Sequence, residues 1–196
     1  MFTGIIESVG KIISVVSEGT NKRFIIESSI SSQLKVDQSV SHDGVCMTVV
    51  KVYGNTHQVM AVDETLKRSN LGKKNINDLV NLERSMVMNG RLDGHLVQGH
   101  VDGVSLVKTI RPEGGSWTFE FTFGKKYSNL LVDKGSVCIN GVSLTVIKPS
   151  KKKFSVAIIP YTFENTNFRL LRLGDEVNVE FDIIGKYAER IMKTHK

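Results

Sequence analysis

The chain has 196 residues, 40% hydrophobic and 23% charged, with a net charge of +6 at neutral pH. That length suits two domains of roughly 95 residues, each with a modest core, and no apolar run nears the ~18 residues of a membrane span. The excess charge gathers in turn-like places (Lys73-Lys74, Lys151-Lys152-Lys153, Lys193, Lys196) without a nucleic-acid reading module, so no nucleic-acid partner is expected.

Short, β-branched and often alternating segments predict strands over 11–16, 23–27, 46–52, 58–62 and 79–83. Turn chemistry separates them at Glu18-Gly19, Asp43-Gly44 and Tyr53-Gly54-Asn55. A helical stretch is expected over 29–34, ahead of a Ser39-Val40 strand, and a short linker near 85–91. The second half predicts strands over 104–110, 117–122, 143–147, 154–159 and 176–182, with a helical stretch over 126–131 ahead of Ser136-Val137. Short strands without long intervening helices imply an all-β fold of small Greek-key barrels or sandwiches. Towards the C-terminus, Ile184, Ala188, Ile191 and Met192 share one face of a helix over about 185–193. With no third domain to cover it, that face is expected to dock on another chain rather than on a barrel.

The halves repeat. Asp43-Gly44-Val45-Cys46-Met47-Thr48-Val49-Val50 recurs 97 positions later as Asn140-Gly141-Val142-Ser143-Leu144-Thr145-Val146-Ile147, and Val80-Asn81-Leu82-Glu83 recurs as Val177-Asn178-Val179-Glu180. Two copies of one pocket imply either two ligands of one kind or one ligand held between the halves. Cys46 and Thr48, like Ser143 and Thr145, share a strand face, an edge able to hydrogen-bond a flat polar heterocycle. Small residues facing a barrel would read the same way. Met60 through Thr65 matches Ala157 through Thr162 at strand ends, which suits either a polyol-binding segment or a plain loop.

The sharpest asymmetry lies at the join, where Gly94-His95-Leu96-Val97-Gln98-Gly99-His100-Val101-Asp102-Gly103 corresponds to Met1-Phe2-Thr3-Gly4-Ile5-Ile6-Glu7. There Gly99 matches Gly4, Asp102 matches Glu7, and His100 replaces Ile5. His95 and His100 would face opposite sides of a strand, so acid–base work is expected rather than a shared metal. No phosphate loop, CxxC, HExxH or nucleophile elbow is present, and no metal or cofactor is expected. Cys46 and Cys138 sit at non-equivalent positions, which argues against a disulfide. The opening segment lacks the features of a signal peptide, making a reducing cytoplasm the expected compartment.

These segments, together with Glu64-Thr65-Leu66 and Ser69-Asn70-Leu71-Gly72, closely resemble the riboflavin synthases of the alpha-chain type from Met1 to about Asp182. The resemblance implies two tandem pseudo-symmetric six-stranded Greek-key barrels, over 1–87 and 94–184, and a C-terminal oligomerisation helix over 185–196. It implies a homotrimer whose active sites form between the first barrel of one chain and the second barrel of another. The implied reaction is dismutation of two 6,7-dimethyl-8-ribityllumazine molecules by four-carbon transfer, without cofactor, giving riboflavin and 5-amino-6-ribitylaminouracil. An association with lumazine synthase, which makes the substrate, stays open.

Carried over by position, the first-half pocket falls on Gly4, Ile5 and Ile6, on Cys46, Met47 and Thr48, and on Met60, Ala61, Val62, Asp63, Glu64 and Thr65. The second-half pocket falls on Gly99, His100 and Val101, on Lys134, on Ser143, Leu144 and Thr145, and on Ile158, Ile159, Pro160, Tyr161, Thr162 and Phe163. Positions linked to catalysis match Phe2, Ser39, Cys46, His95, His100 and Asp182. Two departures stand out. Asp43 and Asn140 exchange the order common among relatives, which is expected to move a charge between half-sites. Tyr161 stands where relatives often carry Glu. A non-catalytic antenna protein binding one lumazine or flavin is the rival reading, and the retained His95, His100, Ser39 and Cys46 favour the enzyme.

Overall fold

The computed structural model describes residues 1–194; His195 and Lys196, the end of the expected 185–196 helix, lie outside the described residues. In the first half, β1 (Ser8–Glu18), β2 (Asn21–Glu27), β3 (Ser39–His42), β4 (Val45–Tyr53), β5 (Thr56–Ala61) and β6 (Leu79–Arg84) close a barrel in the order β1-β2-β5-β4-β3-β6. The second half comprises β7 (Gly103–Glu113), β8 (Ser116–Thr122), β9 (Ser136–Ile139), β10 (Val142–Thr145), β11 (Lys153–Ile158) and β12 (Glu176–Phe181). Its order, β10-β9-β12-β7-β8-β11, is the same topology. Here β10 stops short of the predicted 143–147 strand. An isolated bridge joins Ile147 to Ser155 through N···O contacts of 2.8 and 3.0 Å, completing the circuit between the edges. The all-β, twice-repeated Greek-key expectation holds.

The helical pieces are more numerous than expected. The 29–34 stretch contains one 3-10 turn, Ser31–Gln33, and the 126–131 stretch overlaps a six-residue 3-10 segment, Lys125–Leu130. Two α-helical turns, α1 (Asp63–Arg68) and α2 (Pro160–Asn165), occupy segments read from sequence as strand ends or loops. Asp63–Lys67 and Glu64–Arg68 ion pairs one turn apart hold α1, and Pro160 pre-sets the first turn of α2. The chain ends in α3 (Ile183–Thr194). No described helix is long and apolar enough to cross a membrane.

The two cores differ in chemistry. Residues such as Phe119, Phe121, Phe154, Phe168 and Phe181 fill the second barrel, while the first is chiefly aliphatic. Where the second barrel has Ile139 and Phe154, the first buries His42 and His57, their Nε2 atoms 2.8 Å apart. His57 Nδ1 lies 2.8 Å from Ser31 Oγ, and Ser31 Oγ 2.7 Å from Ser28 Oγ, so the polar chain is satisfied. Burial, with the neighbouring His57, holds the His42 pKa well below its ordinary 6.5, and burial lowers that of His57 to about 4. Both folded values lie below the unfolded one, so on acidification the unfolded chain takes up protons first. Stability is therefore expected to be full above pH 6.5 and to be lost as pH falls from there towards 4. At 1.4 kcal/mol per unit, His57 accounts for about 3 kcal/mol of that loss. Thermal unfolding followed against pH checks this, with a H42I/H57F variant, built on the second barrel's pair, giving a flatter curve.

The barrels meet through their Asx-Gly turns. A Cβ on Gly44 would come within 2.8 Å of Gly141 N, and one on Gly141 within 2.9 Å of Gly44 N, so the backbones touch as only glycine allows. Around them runs a reciprocal amide network. Asn81 N–H donates to Asp43 Oδ1 and Asn178 N–H to Asn140 Oδ1, each at 2.8 Å. The side-chain amides cross the seam, Asn81 to Asn140 O (2.9 Å) and Asn178 to Asp43 O (2.8 Å). Asp43 is fully buried here with Lys74 Nζ 3.0 Å from its Oδ2. The Asp43/Asn140 exchange thus places its charge in the inter-barrel seam, correcting the expectation that it sits in a half-site.

Candidate active site

The segments preceding each barrel are not regular strands; they are straps. They pair at a bridge, where Phe2 N–H donates to Val97 O (2.7 Å) and Val97 N–H to Phe2 O (3.1 Å), and His95 N–H adds a bond to Thr3 O (3.1 Å). Beyond it each strap crosses to the opposite barrel. Ser143 N–H donates to Gly4 O (2.8 Å), and Cys46 N–H to Gly99 O (2.9 Å). Side chains follow the same path: Ile6 packs on the second barrel's core and Val101 on the first's. A Cβ on Gly4 would lie 2.6 Å from Ser143 Cβ, and one on Gly99 2.5 Å from Cys46 Cβ, both at positive φ. The pocket grouping read from sequence is therefore corrected. Gly4 and Ile6 belong with the second barrel at Ser143, Ile5 lines a cleft with first-barrel Ser39, and Gly99, His100 and Val101 belong with Cys46.

On the first barrel, Cys46, Glu64, Thr65 and Arg68 combine with strap residues Gly99 to Asp102 around a cavity of about 350 Å³. Lys186, from α3, reaches its wall and pairs with Asp102 at 2.7 Å. His100 is exposed on this side. The second barrel presents the counterpart. His95, only 8% exposed, places Nδ1 2.7 Å from Ser143 Oγ, and its backbone N–H donates to Thr3 O (3.1 Å). Burial lowers the His95 pKa, while the nearby Asp182 carboxylate opposes that shift. The imidazole is thus neutral near pH 7 and able to exchange a proton with the Ser143 hydroxyl. Trp117 stacks on Phe163, with ring centroids 3.8 Å apart, forming an aromatic wall on the same barrel.

The remaining candidates sort by face. Thr48, Thr145, Val62, Ile159, Pro160 and Tyr161 are exposed, as is Lys134, at φ +66°. Met60 and Thr162 are half-buried. Met47, Ala61 and Ile158 point into the barrel cores and Leu144 packs against one, leaving chiefly their backbones available to a ligand. Phe2 is fully buried with Val97 and Cys138, beneath the straps rather than in a pocket. Ser39 pairs with Thr48 in the ladder and lines a cleft with Thr3 and Ile5. Asp63 pairs with Lys67, and Asp182 accepts the Ile184 N–H at the start of α3.

Two residues escaped the sequence reading. Glu83 accepts from Thr3 N–H and Oγ1–H (2.7 Å each) and from Gly4 N–H (3.0 Å). Glu180 accepts from Gln98 (2.7 Å), Gly99 (2.9 Å) and His100 (2.9 Å) N–H. Their signal was visible as the repeated Val-Asn-x-Glu, which was read only as part of the barrel.

The Lumazine binding domain family model matches this chain twice, over residues 3–85 and 98–182. The riboflavin synthase of Actinobacillus pleuropneumoniae is 38% identical over 98% of this chain and 90% of its own. That of Saccharomyces cerevisiae is 36% identical over 97% and 85% respectively. Among solved structures, LumP complexed with 6,7-dimethyl-8-(1'-D-ribityl) lumazine shares the fold with a TM-score of 0.83. The match covers 92% of this chain and 98% of LumP, at 23% identity.

Proposed function

The chain belongs to the riboflavin synthase family of tandem lumazine-binding domains, and from that membership we infer its reaction. It is a transferase in which two molecules of 6,7-dimethyl-8-ribityllumazine dismutate. One donates a four-carbon unit to the other, giving riboflavin and 5-amino-6-ribitylaminouracil, the final step of riboflavin biosynthesis. The carrying observation is the pair of strap-and-strand pockets related by reciprocal bonds, Gly4 on Ser143 and Gly99 on Cys46. One substrate used twice calls for two similar sites that hold both copies in register.

The chemistry needs a base for the acidic C7-methyl of one lumazine and a nucleophile adding at C7 of the other. His95, buried and neutral beside Ser143, has the protonation state of a base. His100 moves protons on the Cys46 side, Cys46 and Ser39 poise the adding nucleophile, and Asp182 orients neighbouring donors. The heterocycles rest along the Cys46–Thr48 and Ser143–Thr145 edges, with the ribityl chains towards Asp63–Thr65 and Pro160–Phe163. Tyr161, 73% exposed, offers a phenol where Glu64 offers a carboxylate, so the two ribityl sites differ in charge.

The working unit is a homotrimer joined through α3, with first-barrel and second-barrel pockets of different chains combined. Exposed Ile184, Tyr187, Ile191 and Met192 on α3 support that assembly. A cytoplasmic location and an association with lumazine synthase belong to the same proposal, the latter tested by co-sedimentation of the two proteins. Incubation with the lumazine alone tests the reaction. Riboflavin absorbance should grow over many turnovers, whereas an antenna protein would hold one pigment per chain and form no product.

A further inference from the structure

We propose that Glu83 and Glu180 are positioning residues wired crosswise, each rooted in one barrel and setting the pocket of the other. Glu83 stands on β6 of the first barrel, yet the strap it grips delivers the Gly4 carbonyl to Ser143 on the second. Glu180 stands on β12 of the second barrel, and its strap delivers the Gly99 carbonyl to Cys46 on the first.

The physical case rests on what else could hold the straps. Among the described residues the straps bond each other only at Phe2 and Val97 and through His95 N–H to Thr3 O, so the amides of Thr3, Gly4, Gln98, Gly99 and His100 take the carboxylates as partners instead of a strand. Burying a carboxylate is costly unless charge-assisted donors surround it. Glu83 and Glu180 are 4% and 2% exposed, and each meets three. Burial pushes both carboxyl pKa values up while those donors oppose it. Because each strap has its own glutamate, loosening one should disturb one pocket and leave the other in place. Sequence equivalence would assign each glutamate to its own barrel's pocket; the bonds assign it to the other's. That these pockets bind lumazine rests on the reading above, but the wiring itself can be measured without turnover.

The experiment is iodoacetamide labelling of the full chain, read by mass spectrometry. Cys46 is half-buried against Gly99, while Cys138, buried with Phe2 and Val97 beneath the straps and paired with Glu180 in the sheet, reports displacement that spreads beyond the Cys46 contact. E180Q is expected to label Cys46 about tenfold faster than wild type, the scale of one lost charge-assisted bond, with E83Q unchanged. G99A should act like E180Q and G4A like E83Q, since their added Cβ atoms push the same straps off the same partners. In a C46S/S143C background the pattern should invert, with E83Q and G4A accelerating Cys labelling at position 143. Equal acceleration of Cys46 by both glutamate variants, acceleration by E83Q alone, or none from E180Q overturns the proposal. If Cys138 also reacts in a glutamate variant, G99A and G4A decide by the same criteria. A crossed labelling pattern in a protein that makes no riboflavin would instead sink the functional reading and leave the wiring intact.

Discussion

Replacing His95 by alanine is expected to lower riboflavin formation about 100-fold or more, the usual scale for a lost general acid–base group. The imidazole is the buried titratable group hydrogen-bonded to Ser143, with Nδ1 2.7 Å from the hydroxyl. Removing it leaves the Ser143 N–H on Gly4 O, so the pocket should keep its shape while losing its proton carrier. The folded protein should melt near the wild-type temperature, and the loss should fall mainly on kcat. Burial lowers the His95 pKa, so the acid limb of kcat/KM in the wild-type enzyme should fall below pH 6.5. Asp182 limits that displacement, and D182N should carry the limb further down. Full turnover by H95A, or by S39A, would remove those side chains from the proposed chemistry.

Replacing Asp43 by alanine is expected to destabilise the protein by about 3–5 kcal/mol, the cost of breaking a buried ion pair by removing one partner. The carboxylate receives Asn81 N–H and the Asn167 amide, both at 2.8 Å, and stands 3.0 Å from Lys74 Nζ. Alanine strands the Asn81 and Asn167 donors and leaves Lys74, with 16% of its side-chain surface exposed, only the Leu79 carbonyl at 3.2 Å. Asparagine retains one acceptor oxygen, as Asn140 does for Asn178, so D43N should cost less, about 1–3 kcal/mol. Denaturant titration at neutral pH distinguishes the two. Because this network holds the barrels together, D43A should also loosen both straps and raise Cys46 labelling without the selectivity that marks the glutamate variants.

Much of this fold was legible because the sequence states it twice. Strands recurring at one offset imply one topology used twice, and the two sheets share an order. The turns α1 and α2 were missed although their signals were present, in the i,i+4 pairs of Asp63 and Glu64 and in Pro160. A six-residue helix following directly on a strand is too short for periodicity to reveal. The strap crossing was beyond reach for a different reason. Matching Gly4 to Gly99 establishes equivalence, and equivalence is silent about which barrel a connecting segment lies upon. The histidines show the consequence. Five residues apart on a supposed strand, they were expected on opposite faces; in the straps, buried His95 joins Ser143 and exposed His100 flanks Cys46. Asp43 was likewise read by its motif, while its partners Lys74 and Asn167 lie elsewhere in the chain.

The central claim is that two copies of one molecule are the whole of the reactants, one held by each type of pocket. Its most direct test is the reaction balance, with the lumazine supplied alone in large excess over purified protein. Two lumazines should disappear for each riboflavin formed, with one 5-amino-6-ribitylaminouracil appearing alongside. Riboflavin formed from lumazine one for one, or only when another carbon donor is added, would contradict the account.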